Sequence, residues 1–522
     1  MSHETFHWID WLIILFYLGL IIYIGRRFSK KNNTTSDYFI GRRTIPAWAI
    51  GISVLSTLIS SVTFLAYPGQ GFSGNWILLV QGLAVPLTLL TFIWFIVPLY
   101  RRFIGISAYE YFEKRFGYFS RLYSSLAFVV VHFTKMGTVF YLLSLAVASM
   151  AGQNTYAVIL IVGAITVLYT LVGGIEGVIW MDVIQGFIFV GGGLFCLAVL
   201  LFHSTQGPAA GVALAWENGK MSMGPYRWDF THLTFFVMAI NGVFYAIQKY
   251  GTDQTIVQRF LAAKTDQDGI RAALIGTLLC VPVWTMFIFI GTLLWAYYQM
   301  RPEQLPQGIA GDKVFPYFIL SQLPVGAIGL IVAALFSAAM STLDSDLNCL
   351  AGVVMKDFYN RFKKNASDKQ NLALGKLTII VCGAISVGIA CLYVHMGGES
   401  ILGTVFELYA VFSGGIAGIF LLAFFTVRAN RKGVNTGIIA CVIFMAYAVM
   451  TSTKFDLGGP EKQQLVDLGR FNFSHHKYML GVYSHVVLFG VGYAASFFFR
   501  PEKDVRSMTF YGWFQRHRNP DI

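Results

Sequence analysis

Long apolar stretches recur along the whole chain and are separated by shorter polar segments. Roughly 20 apolar residues cross the hydrocarbon layer as a helix, so each stretch is long enough to span a bilayer. The pattern predicts about thirteen transmembrane helices. These spans are predicted at 8–26, 48–67, 75–99, 122–150, 155–173, 177–203, 232–250, 270–298, 325–350, 371–395, 400–426, 433–452 and 480–499.

The second apolar stretch, 48–74, is poorly suited to one continuous helix. It is rich in serine and threonine, and its end reads Pro68-Gly69-Gln70-Gly71. Helix-breaking sequence survives in lipid only where it lines a cavity or is re-bonded by neighbours. Small hydroxyl residues also let helices pack closely, and taken alone the stretch favours such a packing face. The seventh span carries Asn241-Gly242 and ends near Tyr250-Gly251, and two interrupted spans are typical of inverted-repeat transporters.

The composition agrees with a polytopic membrane protein. Of 522 residues, 56% are hydrophobic and 12% are charged, whereas about a quarter are charged in soluble domains. Basic residues collect in every second loop, which accounts for the net charge of +12 without any nucleic-acid partner. This alternation predicts a multi-pass plasma-membrane protein with its N-terminus outside and its C-terminus in the cytoplasm. The six cysteines form no C-x-x-C pair, so disulfides and metal-thiolate sites are not expected.

Ionisable residues within the predicted spans are candidates for function, because a charge in the membrane is costly. Lys135 lies midway along the fourth span and needs an internal partner, water or an anionic ligand. Asp182 lies early in the sixth span, where an interfacial carboxylate is an equal alternative. Glu407 lies in the eleventh span and could pair with a cation or carry a proton. His132 is interpreted as a packed neutral histidine on a different face from Lys135.

The ninth span carries the polar run Ser341-Thr342-Leu343-Asp344-Ser345-Asp346. Residues three and four apart share a helix face, so Ala338, Ser341, Thr342 and Ser345 form one stripe with Asp344 at its margin. Hydroxyls, carboxylates and unpaired carbonyls are the hard oxygen ligands that small cations prefer. A polar seam between helices is the alternative, but this density of oxygen ligands favours an ion site.

Four segments together resemble the sodium/solute symporter family. They are 48–74, Gly173 to Gln185, Gln254 to Lys264, and Ala338 to Tyr359. The resemblance implies an all-α fold whose core is a five-plus-five inverted repeat of the leucine-transporter type. It assigns 1–46 to an extra first helix and cytoplasmic loop, 47–426 to the transport core, and 427–522 to two additional helices and a cytoplasmic tail.

The resemblance also implies a sodium ion, and a second one in some members. The first site would use the carbonyls of Ser56, Ile59 and Ala338 and the hydroxyls of Ser341 and Thr342. The second would use Asp182, Ser341, Asp344 and Ser345, with Asp344 where serine is more usual. Substrate would contact Ser60, Thr63, Gln81 and Lys135, the last where sialic acid transporters have arginine. The second span is expected to break near Ser56 to Ser60, and the Pro68-Gly69 end to shape only the outer vestibule.

We therefore expect a sodium-coupled symporter of a small polar solute, with sialic acid or a related sugar acid as the first expectation. Another carboxylate, an amino acid or a neutral sugar are alternatives. A channel or ion-gated sensor on the same scaffold is another, as is a proton-coupled carrier that uses Asp182, Asp344 or Glu407. An enzyme is not expected, because the sequence shows no nucleophile–base or metal-ligand motif.

The seventh span ends at Gln248 and Lys249. Gln248 is a candidate cytoplasmic gate, and Lys249 is interpreted as an ordinary positive-inside residue. Sodium ions, the solute and the lipid bilayer are the expected partners, and the monomer is expected to function.

Overall fold

The computed structural model of the chain is almost entirely α-helical, as the hydrophobic pattern predicts. It describes residues 6–29, 34–202, 207–396, 414–455, 463–502 and 505–518, so Glu407 lies outside the described residues. The helices in chain order are α1 Trp8–Ser29, α2 Thr35–Phe39, α3 Ala47–Leu58, α4 Ser61–Ser73, α5 Ile77–Phe103, α6 Tyr109–Phe116, α7 Tyr118–Ala151, α8 Thr155–Phe202, α9 Pro208–Glu217, α10 Phe235–Gly251, α11 Gln254–Ala262, α12 Asp266–Gln299, α13 Gly311–Gln322, α14 Ala327–Val353, α15 Asn360–Phe362 and α16 Asp368–Met396. They are followed by Ile416–Phe425, Arg431–Ser452, Lys477–Ser496 and Phe510–Arg518.

Little of the described chain has other regular structure. A π-helical turn, Val354–Tyr359, follows α14. Short 3₁₀ turns lie at Pro302–Gln304, Gly469–Phe471 and Arg506–Met508. Two antiparallel strands, β1 Lys454–Phe455 and β2 Gln463–Gln464, pair in the register Lys454 to Gln464.

Nine helices in the described part of the chain are long and apolar enough to cross a membrane, and the bent pair of α3 and α4 makes a tenth span. The other predicted spans coincide with Thr155–Leu171, with α10, and with Ile416–Phe425. These helices are shorter, and 400–426 lies partly outside the described residues. The helical, polytopic fold is confirmed, whereas the number thirteen stays a prediction.

The second span is broken at Ile59 and Ser60, within the predicted interval. The chain bends by 59° between α3 and α4. Pro68 lies inside α4, which continues to Ser73, so the Pro-Gly segment does not end the helix. Its glycines permit close packing instead: a Cβ on Gly71 would meet the carbonyl of Ile288 in α12, and one on Gly291 would meet that of Pro68.

The two cues in the seventh span have different outcomes. Helix α10 is continuous through Asn241-Gly242, so no break occurs there. It ends at Gly251 and α11 begins at Gln254, so the chain is interrupted beside Tyr250-Gly251. A Cβ on Gly242 would lie 2.9 Å from the carbonyl oxygen of Gln81, so the small residue allows contact between α10 and α5. Glycine alone does not distinguish a break from a close helix crossing. Gly174 is a true break, because its φ of 56° and ψ of −174° interrupt α8 between the fifth and sixth predicted spans.

Helix α14 forms the centre of the molecule. All its residues except Leu330 are buried, and α1, α3, α4, α7, α8 and α16 pack around it. Asp10 of α1 accepts hydrogen bonds of 2.8 Å from the backbone amides of Gly326 and Gly329. A carboxylate satisfies otherwise unpaired amides at a helix N-terminus and interacts favourably with the helix dipole. The helix that carries the predicted ion ligands is therefore held at its start by a helix outside the predicted repeat.

Gly291→Ala is expected to destabilise the protein by about 1–3 kcal/mol, because the added methyl group overlaps the Pro68 backbone and forces α4 away from α12. Gly19→Ala is the matched control, since nothing lies within 4 Å of a Cβ at that helical position. Thermal unfolding in detergent should show a lower midpoint for the first variant only. Equal midpoints would show that the close approach contributes nothing.

Candidate functional site

The break between α3 and α4 leaves backbone carbonyls without helical partners. The amide of Ser60 donates to the hydroxyl of Thr63 at 3.3 Å, and the amide of Val62 donates to Ser60 Oγ at 3.2 Å. This capping arrangement starts α4 and directs the Ser60 amide away from the carbonyl of Ser56. Ile59 is extended, with φ −89° and ψ 147°. The carbonyls of Ser56 and Ile59 therefore need partners from another element.

Helix α14 provides those partners. The hydroxyl of Ser341 lies 3.1 Å from the carbonyl oxygen of Ser56 and 3.3 Å from that of Ala338. The hydroxyl of Thr342 lies 2.9 Å from the carbonyl oxygen of Ile59 and 3.3 Å from that of Ala338. All five predicted ligands of the first sodium site thus form one buried group of oxygens, which we call the oxygen cluster.

The oxygen cluster has the chemistry of a site for a small monovalent cation. Its two hydroxyl protons are shared among three carbonyl oxygens, so acceptors outnumber donors. Two oxygens that each lie about 2.4 Å from a hard cation, with a right angle at the ion, are about 3.4 Å apart. The oxygen–oxygen distances in the cluster, from 2.9 to 3.3 Å, are close to this value. The ligands are neutral, whereas divalent cations usually recruit carboxylates. The arrangement fits sodium.

A buried arginine occupies the region of the predicted second sodium site. Arg259 of α11 donates from Nη2 to Asp182 Oδ2 at 2.8 Å and to Ser345 Oγ at 2.6 Å. Its Nε donates to Ser53 Oγ at 2.8 Å, and Ser53 donates to Asp182 Oδ2 at 2.5 Å. Asp182 is fully buried, so the interpretation as an interfacial carboxylate is wrong. Arg259 thus provides a positive charge in direct contact with Asp182.

Ser345 connects Arg259 to a second carboxylate, that of Asp344. Its Oδ1 is 3.3 Å from Ser345 Oγ, and its Oδ2 is 3.2 Å from the hydroxyl of Tyr169. Within the described chain, Asp182 Oδ1 has no hydrogen-bond partner. Arg259 contacts Asp182 directly, whereas Ser345 connects it to Asp344. The unpartnered oxygen of Asp182 and the nearby second carboxylate are the observations here that bear on a second cation.

Lys135 has an internal partner. Its Nζ lies 3.1 Å from Oδ1 and 3.0 Å from Oδ2 of Asp346, one helical turn beyond Thr342 on α14. His132 lies on the same face of α7 and not on a different one, since its Nε2 is 3.7 Å from Asp346 Oδ1. Lys249 is buried and ion-paired with Asp253, so it is not an ordinary loop lysine.

Of the remaining predicted substrate residues, only Ser60 and Thr63 are hydrogen-bonded to each other in the described chain. Ser60 and Thr63 lie at the break and accept backbone amides, which leaves each hydroxyl proton able to donate to a ligand. Gln81 and Gln248 are half-buried on α5 and α10. In the described residues, the side chain of neither makes a hydrogen bond to the others. Their roles as a substrate contact and a gate stay predictions.

A cavity of about 270 Å³ lies between α4, α7 and α13. Apolar side chains line most of it, and Asp312 and Lys313 of α13 provide charged groups. The four predicted substrate residues are not among its described lining residues. The cavity is therefore adjacent to α4 but does not coincide with the predicted substrate site.

Sequence reasoning missed the partners that complete these sites, namely Arg259, Asp346, Asp253, Ser53 and Tyr169. A signal for two of them exists, because an ionised group inside the membrane needs a counter-charge. Asp182 needs a cation, which Arg259 provides. Lys135 needs an anion, which Asp346 provides. Ser53 and Tyr169 carry no such signal, since neutral hydroxyls are common in packed helices.

Comparison with known proteins assigns the chain to a family. The sodium:solute symporter family model matches residues 38–441. The sodium/sialic acid symporter NanT of Aliivibrio fischeri is 32% identical over 447 residues, which cover 85% of this chain and 88% of the relative. SiaT of Proteus mirabilis, also a sodium/sialic acid symporter, is 33% identical over 447 residues, covering 85% and 90%.

A solved structure shows the same architecture. It is a substrate-bound, outward-open Na⁺-coupled sialic acid symporter, and it matches with a TM-score of 0.86 and 30% identity, covering 95% of this chain and 99% of that one. The predicted all-α transporter fold and the family resemblance are confirmed. The chain belongs to the sodium:solute symporter family and is a membrane protein for sodium-coupled solute transport.

Proposed function

We propose that the protein carries sialic acid or a related sugar acid into the cell together with sodium. The observation that carries the proposal is the half-buried ammonium of Lys135 close to the break in the second span. Val139, one turn further along α7, accepts a hydrogen bond of 3.3 Å from Ser61. Lys135 is thus about 6 Å along the helix from a contact with the break. A half-buried cation at this place suits a substrate carboxylate, and the named relatives support the same substrate class.

Sodium would act through the oxygen cluster. The ion would join the carbonyls of Ser56 and Ile59 to the hydroxyls of Ser341 and Thr342, and so hold the break against α14. A ligand shifts a conformational equilibrium only by binding one state better than another. Sodium would therefore favour the state in which the break is ordered, with Ser60 and Thr63 positioned for the solute. Release of sodium on the cytoplasmic side would loosen the same contact and free the substrate.

A lysine in place of arginine limits how the carboxylate is held. Arginine binds a carboxylate with two parallel hydrogen bonds, whereas lysine acts as a compact point charge. The site would then depend more on the hydroxyls of Ser60 and Thr63 and on Gln81 to orient the substrate. Related sugar acids, other carboxylates and amino acids are the compounds against which the proposal has to be tested.

Uptake into proteoliposomes tests the proposal directly. With an inward sodium gradient, N-acetylneuraminic acid is expected to accumulate, and an equal potassium gradient should not support this. Hexuronic acids, neutral hexoses, proline and short monocarboxylates serve as competitors. Uptake of the acid that is independent of sodium would refute sodium coupling. Sodium-driven uptake of proline or hexose without the acid would refute the substrate class.

The same vesicles measure the number of sodium ions. A Hill coefficient near one for the dependence of uptake on sodium concentration indicates a single ion, bound at the oxygen cluster. A Hill coefficient near two would support a second ion beside Asp182, Ser341, Asp344 and Ser345, where two carboxylates are linked through Ser345 and Arg259.

We further propose the N-terminus outside, the C-terminus in the cytoplasm, and a monomer as the transporting unit. The core would be 47–426, with 1–46 and 427–522 as flanking segments. The alternation of basic loops supports the orientation.

A further inference from the structure

The Lys135–Asp346 ion pair joins α7 to α14 one helical turn beyond the oxygen cluster. Both carboxylate oxygens of Asp346 lie within 3.1 Å of the Lys135 ammonium. The Asp346 side chain is fully buried, whereas that of Lys135 is 20% exposed. An ammonium has three donors, so Lys135 can contact a second anion from its exposed side.

The charges around this pair are already balanced. Lys249 is paired with Asp253, which is the nearest other ion pair. His132 lies between the two carboxylates, with Nε2 at 3.6 Å from Asp253 Oδ2 and 3.7 Å from Asp346 Oδ1. Its Nδ1 is 2.9 Å from the Phe128 carbonyl oxygen, which can only accept, so Nδ1 carries a hydrogen. A substrate carboxylate that approaches Lys135 therefore meets a cation that Asp346 has neutralised.

Asp346 is held less firmly than other buried carboxylates of the protein. Asp357 accepts hydrogen bonds of 2.7 Å from both Ser107 and Ser125 and is also bound by Arg121. Asp253 accepts from the amide and the hydroxyl of Thr255 in addition to Lys249. Within the described chain, the one hydrogen-bond donor to Asp346 is Lys135. A carboxylate that served only to anchor the fold would gain from more donors.

We propose that Asp346 is a specificity-determining residue that competes with the substrate carboxylate for Lys135. The inference rests on the proposed function, because it requires a carboxylate substrate. An internal anion lowers the attraction of the site for every external anion. A simple anion cannot recover that loss, but a sugar acid can, through additional hydroxyl contacts. Discrimination against a competitor is commonly achieved by such an unfavourable element.

The position of Asp346 also links this competition to sodium. Thr342 and Asp346 are four residues apart and therefore lie on the same face of α14. The hydroxyl proposed to bind sodium and the carboxylate proposed to compete with the substrate therefore lie on neighbouring turns of one helix.

Binding of N-acetylneuraminic acid and of its carboxamide to the purified protein in saturating sodium tests the proposal. In Asp346→Asn, the ratio of the two affinities should shift toward the acid by about tenfold or more, as expected when a close charge is removed. Acetate, tested as a competitor, should gain affinity in the same variant. Asp357→Asn is the matched control, because Asp357 is a buried carboxylate eleven residues beyond Asp346 that is bound by Arg121, Ser107 and Ser125, and it should leave the ratio unchanged.

A second comparison remains informative if Asp346→Asn folds poorly. In Lys135→Met, the uncompensated Asp346 should repel the acid more than the amide. In the double variant Lys135→Met with Asp346→Asn, this extra repulsion should disappear and both ligands should bind alike. The proposal is overturned if Asp346→Asn shifts acid and amide equally, or if the single and double variants show the same ratio. No sodium-dependent binding of any acid to the wild type would instead refute the proposed function.

Discussion

Replacing both Ser341 and Thr342 by alanine is expected to abolish sodium-driven uptake. The two hydroxyls are the contacts from α14 to the carbonyls of Ser56 and Ile59. A hydrogen-bonding group that interacts with a charge contributes about 1.5–3 kcal/mol. Each single variant should therefore raise the sodium concentration for half-maximal uptake by about ten- to a hundredfold. The double variant should show no sodium dependence in the accessible range.

Ser337→Ala is the matched control for these variants. Ser337 is a buried serine one turn earlier on α14, and its hydroxyl donates to the Ala333 carbonyl of the same helix at 2.9 Å. It makes no contact with the break, so its replacement should leave the sodium dependence unchanged. Unaltered sodium dependence in Ser341→Ala and Thr342→Ala would show that the ion binds elsewhere.

Arg259→Gln is expected to cause the largest loss of stability among single changes at these sites. The guanidinium is fully buried and binds Asp182, Ser345 and Ser53. Removing one partner of a buried ion pair costs about 3–5 kcal/mol, because the other charge is left uncompensated. The yield of folded protein and the midpoint of thermal unfolding in detergent are the quantities to measure, and both should be much lower in the variant. Asp182→Asn should show a loss of similar size.

The double variant Arg259→Gln with Asp182→Asn separates the pair from general disruption. If the two residues stabilise each other, the double variant should lose less than the sum of the single losses. Arg361→Gln is the control, because its pair with Glu113 at 2.9 Å involves side chains that are 47% and 24% exposed. Exposed pairs contribute about 0–1 kcal/mol. Additive losses would mean that Arg259 and Asp182 act independently.

Much of the fold follows from local pattern. Apolar runs identify the helices because the requirement to pair every backbone group in lipid leaves few other structures. The position of the break at Ile59 did not come from this pattern but from the family resemblance, which implies unpaired carbonyls near Ser56 to Ser60. The continuity of α10 at Asn241-Gly242 was not predictable from the sequence. This dipeptide is compatible with either a break or a close helix crossing, and only the position of the neighbouring helix α5 decides between them.

The candidate site was predictable to different degrees. The ligands of the oxygen cluster came from resemblance, residue by residue, and the structure brings all five together. The ion pairs could not be assigned in the same way. Lys135 and Asp346 are 211 positions apart, and Asp182 and Arg259 are 77 apart. Which charges meet depends on the rotation of each helix within the bundle, which a single sequence does not encode in any short motif.

The contact of Asp10 with the start of α14 bears on how the protein can be shortened. Its carboxylate occupies two amides of the helix that carries Ser341, Thr342 and Asp346. A fragment cut at residue 47 would retain the complete predicted repeat but would leave those amides unpaired in an apolar setting. The boundary of the repeat is therefore not a boundary of the folding unit. Truncations and insertions intended to preserve ion binding should keep α1 covalently attached and Asp10 intact.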